Sequence, residues 1–286
     1  DILRTENMSH VYSIGTPFEM TAVNGIDFSI DSNDFVGIIG HTGSGKSTFI
    51  KHLHGLEKPT SGKVLFCGKD IWDKDFSRRD LRFKVGMVFQ YPEYQLFEKT
   101  VGEDIAFGPK NMKLSEDEIA ERVEKAMEFV GLDKDVINES PFELSGGQKR
   151  RVAIAGIMAM QPDILILDEP TAGLDPRGRA EILERIKEYH DTQNKAVLLV
   201  SHNMEDVANN ANKILVLNHG KIDMYGETDE VFSNAAHLAE IGLDIPQITK
   251  IFLNIRNRGY DVSPSVYSVE KACEEIVRLR TEATFD

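Results

Sequence analysis

The sequence predicts an α/β fold in which helices cover a parallel sheet, with a helical insertion in the middle and a small helical extension at the end. Three observations favour this fold. Short apolar segments alternate with helical stretches, a long central region lacks convincing strands, and the final segment carries amphipathic helix patterns. The 286 residues, 41% of them hydrophobic, are enough for one large α/β domain with an appendage.

The predicted strands are apolar segments bounded by polar or turn-forming residues. Residues 35–39 form one such segment, which runs directly into glycines and then into a predicted helix over residues 47–56. The other predicted strands cover residues 26–30, 64–66, 85–89, 164–167, 196–200 and 213–217. Strands that alternate with helices in this way are typical of a parallel sheet.

The central region, about residues 91–160, is predicted to be a helical subdomain inserted into the α/β core. Its clearest helix start is a predicted capping box between Ser115 and Glu118, flanked by the apolar pair Leu114 and Ile119. Apolar residues then recur at helical spacing. They are Ile119, Val123, Met127 and Val130.

Residues 236–286 are predicted to be a C-terminal helical extension. Two amphipathic stripes mark its helices, and both are predicted to face the core, with a partner interface as the alternative. The first stripe consists of Ile248, Ile251, Phe252 and Ile255. The second consists of Val269, Ala272, Cys273, Ile276 and Val277.

The composition disfavours several classes of function. A net charge of −14 argues against a nucleic-acid groove, which needs clustered Lys and Arg. Cys67 and Cys273 lie far apart without metal-ligand spacing, as expected in a reducing cytosol. No apolar run approaches the roughly 20 residues that span a bilayer, and no signal-peptide pattern opens the sequence. We therefore expect any membrane association to occur only through partners.

A phosphate-binding loop is predicted between the strand at residues 35–39 and the helix that follows. The sequence matches the pattern GxxxxGK[ST]. The matching residues are Gly40, His41, Thr42, Gly43, Ser44, Gly45, Lys46, Ser47 and Thr48. Backbone N–H groups and the helix N-terminus would hold phosphate, Lys46 would reach the β- and γ-phosphates, and Ser47 would bind Mg²⁺. A glycine-rich turn without ligand is the alternative.

The buried strand at residues 164–167 ends in two carboxylates, Asp168 and Glu169. Alone, such residues are as often structural caps as functional groups. Next to a phosphate-binding loop they match a Walker B motif, in which Asp168 binds Mg²⁺ largely through water. Glu169 would then polarise the attacking water.

A second predicted phosphate cradle precedes the helix expected over residues 149–160. It reads Leu-Ser-Gly-Gly-Gln and consists of Leu144, Ser145, Gly146, Gly147 and Gln148. Because this sequence is the signature of the ABC ATPases, the chain resembles that family. The resemblance implies an ABC ATPase domain over residues 1–235 with an N-terminal antiparallel β subdomain. It also implies that the signature loop closes over ATP held by a partner subunit.

The resemblance assigns roles to four further positions. Gln90 matches the Q-loop, which contacts Mg²⁺ and the nucleophilic water, and Asp175 matches the D-loop at the dimer interface. His202 matches the switch histidine that hydrogen-bonds the γ-phosphate. The resemblance also implies an aromatic stacked on adenine, for which Tyr12 fits best and Phe18 is the alternative.

Within the family, the chain resembles the ATPases of energy-coupling factor (ECF) importers. Residues 90–97 and 100–109 carry this resemblance, Gly40 to Gly45 resemble the second (A-prime) ATPase subunit, and residues 244–247 resemble the same group. The implied partners are a second ABC ATPase subunit, with a heterodimer favoured, a transmembrane T component and a substrate-binding S component. The implied place is the cytoplasmic face of the cell membrane, and the implied cargo is a vitamin or transition metal ion.

Two other readings stay open at this stage. The chain could serve another class of ABC importer or exporter. A soluble ABC ATPase of DNA repair or translation is the alternative from a different class, but such proteins carry a long coiled coil, zinc modules or two ATPase domains. The sequence shows none of these features and is acidic.

Overall fold

Two sheets organise the fold in the computed structural model, which describes residues 1–282. The larger sheet has six strands in the order β10-β9-β3-β8-β7-β6, and the smaller has four in the order β2-β1-β4-β5. The strands are β1 (Leu3–Tyr12), β2 (Met20–Ile30), β3 (Phe35–Ile39), β4 (Ser61–Phe66), β5 (Lys69–Asp70), β6 (Val85–Val88), β7 (Ile164–Asp168), β8 (Ala196–Val200), β9 (Lys213–Asn218) and β10 (Lys221–Glu227).

The larger sheet is parallel except at its β10 edge. Strand β3 pairs in parallel with both β8 and β9, and β7 pairs in parallel with both β6 and β8. The C-terminal ends of β3, β7 and β8 therefore lie at one edge of the sheet, where ligands of open α/β sheets bind. The predicted α/β class with a parallel sheet is confirmed.

The smaller sheet is antiparallel, as the family resemblance implies for the N-terminal part. Strand β1 was not predicted from the apolar pattern, because polar residues interrupt its alternation. In the structure, its register with β2 shifts after Thr5. The buried Thr5 hydroxyl donates a hydrogen bond to the Ile26 carbonyl oxygen at 2.9 Å, which ties β1 to β2.

The helices cover both faces of the larger sheet. They are α1 (Lys46–Leu53), α2 (Arg78–Lys84), α3 (Val101–Asn111), α4 (Glu116–Val130), α5 (Gly146–Met158), α6 (Pro176–Gln193), α7 (Met204–Asn210), α8 (Thr228–Ser233), α9 (Ala235–Glu240), α10 (Gln247–Asn257) and α11 (Val269–Glu282). Among the described residues, none of these helices is long and apolar enough to cross a membrane.

Alternate residues of β3 and β7 face two separate apolar clusters, as strand geometry requires. Val36 and Ile38 belong to the cluster that includes α1 and the smaller sheet. Phe35 and Ile39 belong to the cluster that includes α3, α4 and α5. No strand lies between Val88 and Ile164 within the described residues, so this region is helical and loop structure throughout.

The predicted capping box of α4 is only half formed. Ser115 accepts a hydrogen bond from the Glu118 N–H at 3.3 Å, as predicted. The Glu118 carboxylate instead accepts from Arg122, one turn later, at 2.8 Å. The charged partner competes successfully because a charge-assisted bond is stronger than a bond to a neutral N–H.

The prediction that the stripe on α11 faces the core is wrong for most of its residues. Ala272 is buried, but Val269, Cys273, Ile276 and Val277 are exposed, with Val269 71% exposed. The face that packs also carries Glu275, which accepts hydrogen bonds from the Ser263 N–H and from Arg278. On α10, Phe252 is buried as predicted, whereas Ile251 is 52% exposed.

Candidate functional site

The loop between β3 and α1 approaches the backbone of β2 closely. Gly45 has φ 101°, and a Cβ atom at this position would lie 2.4 Å from the Ala22 carbonyl oxygen. A side chain is therefore excluded on both conformational and steric grounds. Helix α1 begins directly afterwards, so its first N–H groups point into the loop.

The side chain of Lys46 folds back into the phosphate-binding loop. Its ammonium group donates hydrogen bonds to the carbonyl oxygens of Gly40 at 2.6 Å and His41 at 3.0 Å. Burial lowers the pKa of Lys46, and the carboxylates of Glu169 and Asp168 oppose this effect. The lysine charge thus lies between the loop backbone and the acidic end of β7.

Two acidic residues and a histidine meet where β7 and β8 end. Asp168 is the last residue of β7 and pairs with Val200, and the Glu169 N–H donates to the Val200 carbonyl oxygen at 3.0 Å. Glu169 adopts φ 52°, a left-handed conformation that turns its side chain away from the strand direction. His202 follows β8, and its Nε2 lies 3.5 Å from Glu169 Oε1.

The electrostatics of Asp168 and Glu169 suit a proton acceptor at Glu169. Burial, followed by the nearby Asp168 charge, raises the pKa of Glu169 to about 7. Burial also raises the pKa of Asp168, against the attraction of Lys46. Glu169 Oε1 is buried and has no hydrogen-bond partner within the described structure. A buried carboxylate oxygen without a partner is available to a water molecule or a ligand.

These residues line one cleft of about 460 Å³. Its walls combine the phosphate-binding loop with the ends of β6, β7 and β8. The lining residues are Met20, Thr21, Ala22, Thr42, Gly43, Gly45, Lys46, Ser47, Thr48, Gln90, Asp168, Glu169, Val200 and His202. Met20, Thr21 and Ala22 were not predicted to contribute, because the sequence pattern places a strand only from residue 26 onward.

The oxygen donors of the cleft fit a hard divalent cation. Ser47, Gln90 and Asp168 all line it, and they offer a hydroxyl, an amide oxygen and a carboxylate. Oxygen donors of this kind are what Mg²⁺ prefers. The cleft thus contains a suitable donor set beside Lys46.

The predicted signature residues lie outside this cleft. Ser145 caps α5: its hydroxyl accepts from the Gln148 N–H at 3.3 Å and donates to Gln148 Oε1 at 2.9 Å. The Gln148 side chain also accepts from the Ser145 N–H, which completes a capping box. Ser145 and Gly146 are exposed, so this helix start faces outward from its own chain.

The remaining predicted residues occupy different places. Asp175 is exposed and caps α6, with its carboxylate accepting from the Gly178 N–H at 3.2 Å. The Tyr12 hydroxyl lies 3.2 Å from Thr48 Oγ1 and donates to Glu57 Oε2 at 2.8 Å, which places this ring next to the loop. Phe18 is 82% exposed and lies in the turn between β1 and β2.

A second groove, of about 440 Å³, lies beside the segment that follows Gln90. Aromatic and basic side chains from α2, α3 and this segment form part of its lining, including Phe97, Phe107 and Arg82. Below it, Arg150 of α5 makes two hydrogen bonds of 3.1 Å to the Glu93 carboxylate. This ion pair joins the start of the signature helix to the segment after Gln90.

Known proteins resemble this chain over nearly its full length. The family profile described as ABC transporter matches residues 23–172. The energy-coupling factor transporter ATP-binding protein EcfA2 of Caldanaerobacter subterraneus is 58% identical over 276 residues, covering 96% of this chain and 96% of that protein. The protein of the same name from Clostridioides difficile is 52% identical over 276 residues, with the same coverage of both chains.

Solved structures agree with these relatives. The structure of cbiO1 from Clostridium perfringens, described as part of the ABC transporter complex cbiONQ, has a TM-score of 0.72 and is 37% identical, covering 88% of this chain and 98% of that one. A dimeric ATP-binding cassette in a post-hydrolysis state, bound to ADP and Pi, has a TM-score of 0.70 and is 28% identical, covering 79% of this chain and 98% of that one.

Proposed function

This chain belongs to the ABC transporter family and, within it, to the ATP-binding subunits of energy-coupling factor transporters, and from this we propose how its residues divide the work of ATP hydrolysis. Its activity is ATP hydrolysis coupled to transport. The observation that carries the residue assignment is the single cleft that joins Lys46 and Ser47 with Asp168, Glu169 and His202.

In the proposal, the loop from Gly40 to Thr48 binds the phosphates of ATP through its backbone N–H groups. Lys46 neutralises the β- and γ-phosphates, and in doing so exchanges its present carbonyl partners for phosphate oxygens. Tyr12 stacks on adenine, supported by its position beside Thr48. Glu169 accepts the proton of the attacking water, and His202 orients the γ-phosphate beside it.

Mg²⁺ is the proposed metal cofactor, held by Ser47, Asp168 and Gln90. When bound, it neutralises charge on the β- and γ-phosphates. The raised pKa of the buried Asp168 supports this role, because a carboxylate held out of water is best compensated by a cation. Asp168 and Glu169 would then differ in role, since one is engaged by a cation and the other is free to accept a proton.

The active nucleotide site is proposed to contain parts of two chains. Ser145, Gly146, Gly147 and Gln148 start an exposed helix and do not line their own cleft, which supports their binding of ATP held by a second ATPase subunit. Asp175 would lie at the same interface. A related but different ATPase subunit is the favoured partner. The exposed apolar stripe of α11 would add a further contact between the two.

The remaining partners are proposed to lie in the membrane. The groove beside residues 91–97 would receive helices of a transmembrane T component, and a separate S component would bind the cargo. Exposed Tyr94, Phe97 and Phe107 near this groove support a docking role: the rings of Phe97 and Phe107 are in contact, and neighbouring exposed apolar side chains mark interaction sites. The chain would then act at the cytoplasmic face of the membrane, in the uptake of a vitamin or transition metal ion.

Replacing Glu169 with Gln tests the assignment of the catalytic base. Glu169→Gln keeps the shape of the side chain but cannot accept a proton. In the complex purified from membranes, we expect ATP binding to change less than about 2-fold, while ATP turnover falls by about 100-fold or more. Binding is measured with a fluorescent ATP analogue, and turnover by phosphate release.

The matched control is Glu184→Gln, which makes the same change on an exposed part of α6. It should leave both ATP binding and turnover unchanged. If Glu169→Gln hydrolyses ATP at a near-normal rate, Glu169 is not the catalytic base.

A further inference from the structure

A cluster of nitrogen and oxygen donors lies between β1 and the end of α1, outside the catalytic cleft. Within residues 1–282, His10, His52 and Glu57 are the one group of three or more His, Cys, Asp and Glu side chains whose ligand atoms all lie within 4.8 Å of one another. His10 belongs to β1, His52 to α1, and Glu57 to the loop after α1. The fold therefore brings together three residues from separate elements.

The orientation of His52 is the arrangement found at metal sites. Its Nδ1 lies 2.6 Å from the Thr48 carbonyl oxygen, and a carbonyl can only accept, so Nδ1 carries the proton. The neutral ring then presents the lone pair of Nε2 toward His10, whose Nδ1 lies 3.0 Å away. Metal-binding histidines usually donate their second N–H to a backbone carbonyl in this manner, which fixes the ring.

The spacing also suits a metal ion. Two nitrogens bound tetrahedrally to Zn²⁺, each at about 2.0–2.1 Å, lie about 3.3 Å apart. The two histidine nitrogens are 3.0 Å apart, so a shift of a few tenths of an ångström would admit an ion. The His10 ring is already held edge-on between the rings of Tyr12 and His52, at centroid distances of 4.4 and 4.6 Å.

Glu57 supplies the anionic donor. Its Oε2 lies 3.9 Å from His10 Nε2 and accepts the hydrogen bond from Tyr12, while its Oε1 lies 3.4 Å from the Lys51 ammonium. The lysine occupies the opposite oxygen, so Oε2 stays on the side of the histidines. Side chains of His10 and Glu57 are 14% and 27% exposed, which leaves a path for an ion from solvent.

We propose that His10, His52 and Glu57 form a binding site for a divalent transition-metal ion, separate from the nucleotide cleft. Two imidazoles and one carboxylate select borderline ions such as Zn²⁺, Co²⁺ or Ni²⁺ over Mg²⁺ and Ca²⁺. Water completes the coordination. To bind, His10 moves its ring proton from Nδ1 to Nε2, so that the lone pairs of His10 Nδ1 and His52 Nε2 face the ion. Glu57 Oε2 exchanges its hydrogen bond from Tyr12 for the ion. The bound ion links β1 to α1.

Cobalt binding tests the proposal directly. The full chain, freed of nucleotide and kept in excess Mg²⁺ to saturate oxygen-only sites, is titrated with Co²⁺ while visible absorption is recorded. We expect one equivalent to bind with the strong absorption of a four-coordinate ion, and Zn²⁺ to displace it. The melting temperature should rise with Zn²⁺, because an ion that binds only the folded state stabilises it.

Variants locate the bound ion. His10→Gln and Glu57→Gln should each weaken Co²⁺ binding at least 10-fold, and His52→Gln should abolish it. Because His52 is buried, the two more exposed variants carry the test if His52→Gln does not fold. His237→Gln is the matched control: this surface histidine also lies beside a carboxylate, Asp223 at 2.6 Å, yet its loss should leave binding unchanged.

Lys51→Gln gives an opposite readout. Removing the lysine charge beside Glu57 frees this carboxylate, so metal binding should become several-fold tighter, a change that a purely structural role of the cluster would not produce. The proposal is overturned if the wild-type chain binds neither Co²⁺ nor Zn²⁺. It is equally overturned if folded His10→Gln binds as well as wild type, if Lys51→Gln binds no tighter, or if His237→Gln removes the signal.

Discussion

Glu169 combines two unfavourable features in one residue. Its backbone adopts φ 52°, and its carboxylate is held largely out of water beside Asp168. A left-handed conformation in a residue other than glycine costs about 1–3 kcal/mol, and the burial of the carboxylate adds to this. Stability is thus lost at the position of the proposed proton acceptor, as is common in active sites.

The raised pKa of Glu169 predicts a pH-dependent gain in stability on its removal. The folded chain holds the proton up to about pH 7, whereas the unfolded chain releases it near its ordinary pKa of 4.5. Stability is therefore lost as the pH rises through this window, and the loss is complete above it. Glu169→Gln should stabilise the nucleotide-free chain at pH 8 by about 1–2 kcal/mol after allowance for solvent screening, and much less at pH 5.

Urea unfolding at the two pH values measures this difference. Glu184→Gln serves again as the control and should leave the free energy of unfolding unchanged at both. An equal stabilisation by Glu169→Gln at pH 5 and pH 8 would mean that the Glu169 carboxylate does not titrate in this window.

At the residue scale, the sequence predicts which side chains meet but not how they are held. The apolar run before Asp168 places it and Glu169 at a strand end, next to the loop containing Lys46. The unpartnered oxygen of Glu169 and the hydrogen-bond partners of Tyr12 could not be predicted, because they depend on the positions of chain segments that are far apart in the sequence. No sequence pattern indicated that the Glu57 carboxylate would accept the hydrogen bond of the Tyr12 hydroxyl.

At the scale of elements, α5 is connected to the segment after β6 by one ion pair. Arg150 is 3% exposed, and its guanidinium binds the Glu93 carboxylate through two hydrogen bonds. The guanidinium carbon also lies 5.9 Å from the centre of the Tyr91 ring. Helix α5, which follows the proposed signature loop, and the segment after Gln90 are therefore coupled mechanically within one chain.

Arg150→Ala should destabilise the chain by about 3 kcal/mol, because it leaves the Glu93 carboxylate partly buried without its cation. The measurement is urea unfolding of the isolated chain. Lys125→Ala breaks an exposed ion pair on α4 and is the control, with no measurable change expected. If the two variants lose equal stability, the buried pair contributes no more than a surface pair.

Elements with a clear periodicity were the ones that could be predicted. Strands β3, β7 and β8 are continuous apolar runs, whereas β1 and β10 mix polar and apolar residues on an outer sheet or edge. For α11, the periodicity correctly predicts a helix but not the face it buries. Glu275 is buried through its hydrogen bonds, and an apolar pattern alone cannot anticipate that.

At the scale of the whole molecule, the proposed division of the nucleotide site between two chains makes a distinct prediction. Ser145→Arg places a bulky cation at the exposed start of α5, outside the cleft of its own chain. In the assembled complex, ATP turnover should fall at least 10-fold, while ATP binding to the isolated variant chain should be unchanged. Both are measured as for Glu169→Gln.

Ser115→Arg is the matched control, since Ser115 caps another exposed helix start, that of α4. It should leave turnover unchanged. Normal turnover of the complex with Ser145→Arg would contradict a site shared between chains, and loss of ATP binding by the isolated chain would place Ser145 in its own site.

The α/β class follows from the alternation of strands and helices, but the order of the strands does not. Parallel strands pair across helical connections, and the sequence carries no local signal of which neighbours are chosen. The antiparallel β10 at one edge became visible only in the structure, and the second sheet was implied by the family resemblance and not by a local pattern. The partner subunits were implied by resemblance alone, because an exposed residue such as Val277 carries no sequence signal of what covers it.

The pairing of β3 has a consequence for synthesis of the chain. Phe35 pairs with Val197 on one side, and Val36 pairs with Lys213 on the other. Both edges of this apolar strand therefore stay unpaired during translation until β8 and β9, which are synthesised much later, have left the ribosome. Only then can the loop after β3 take its final shape, so nucleotide cannot assist early folding. A nascent chain halted before β8 would expose this apolar strand with both edges unpaired, which is an aggregation hazard.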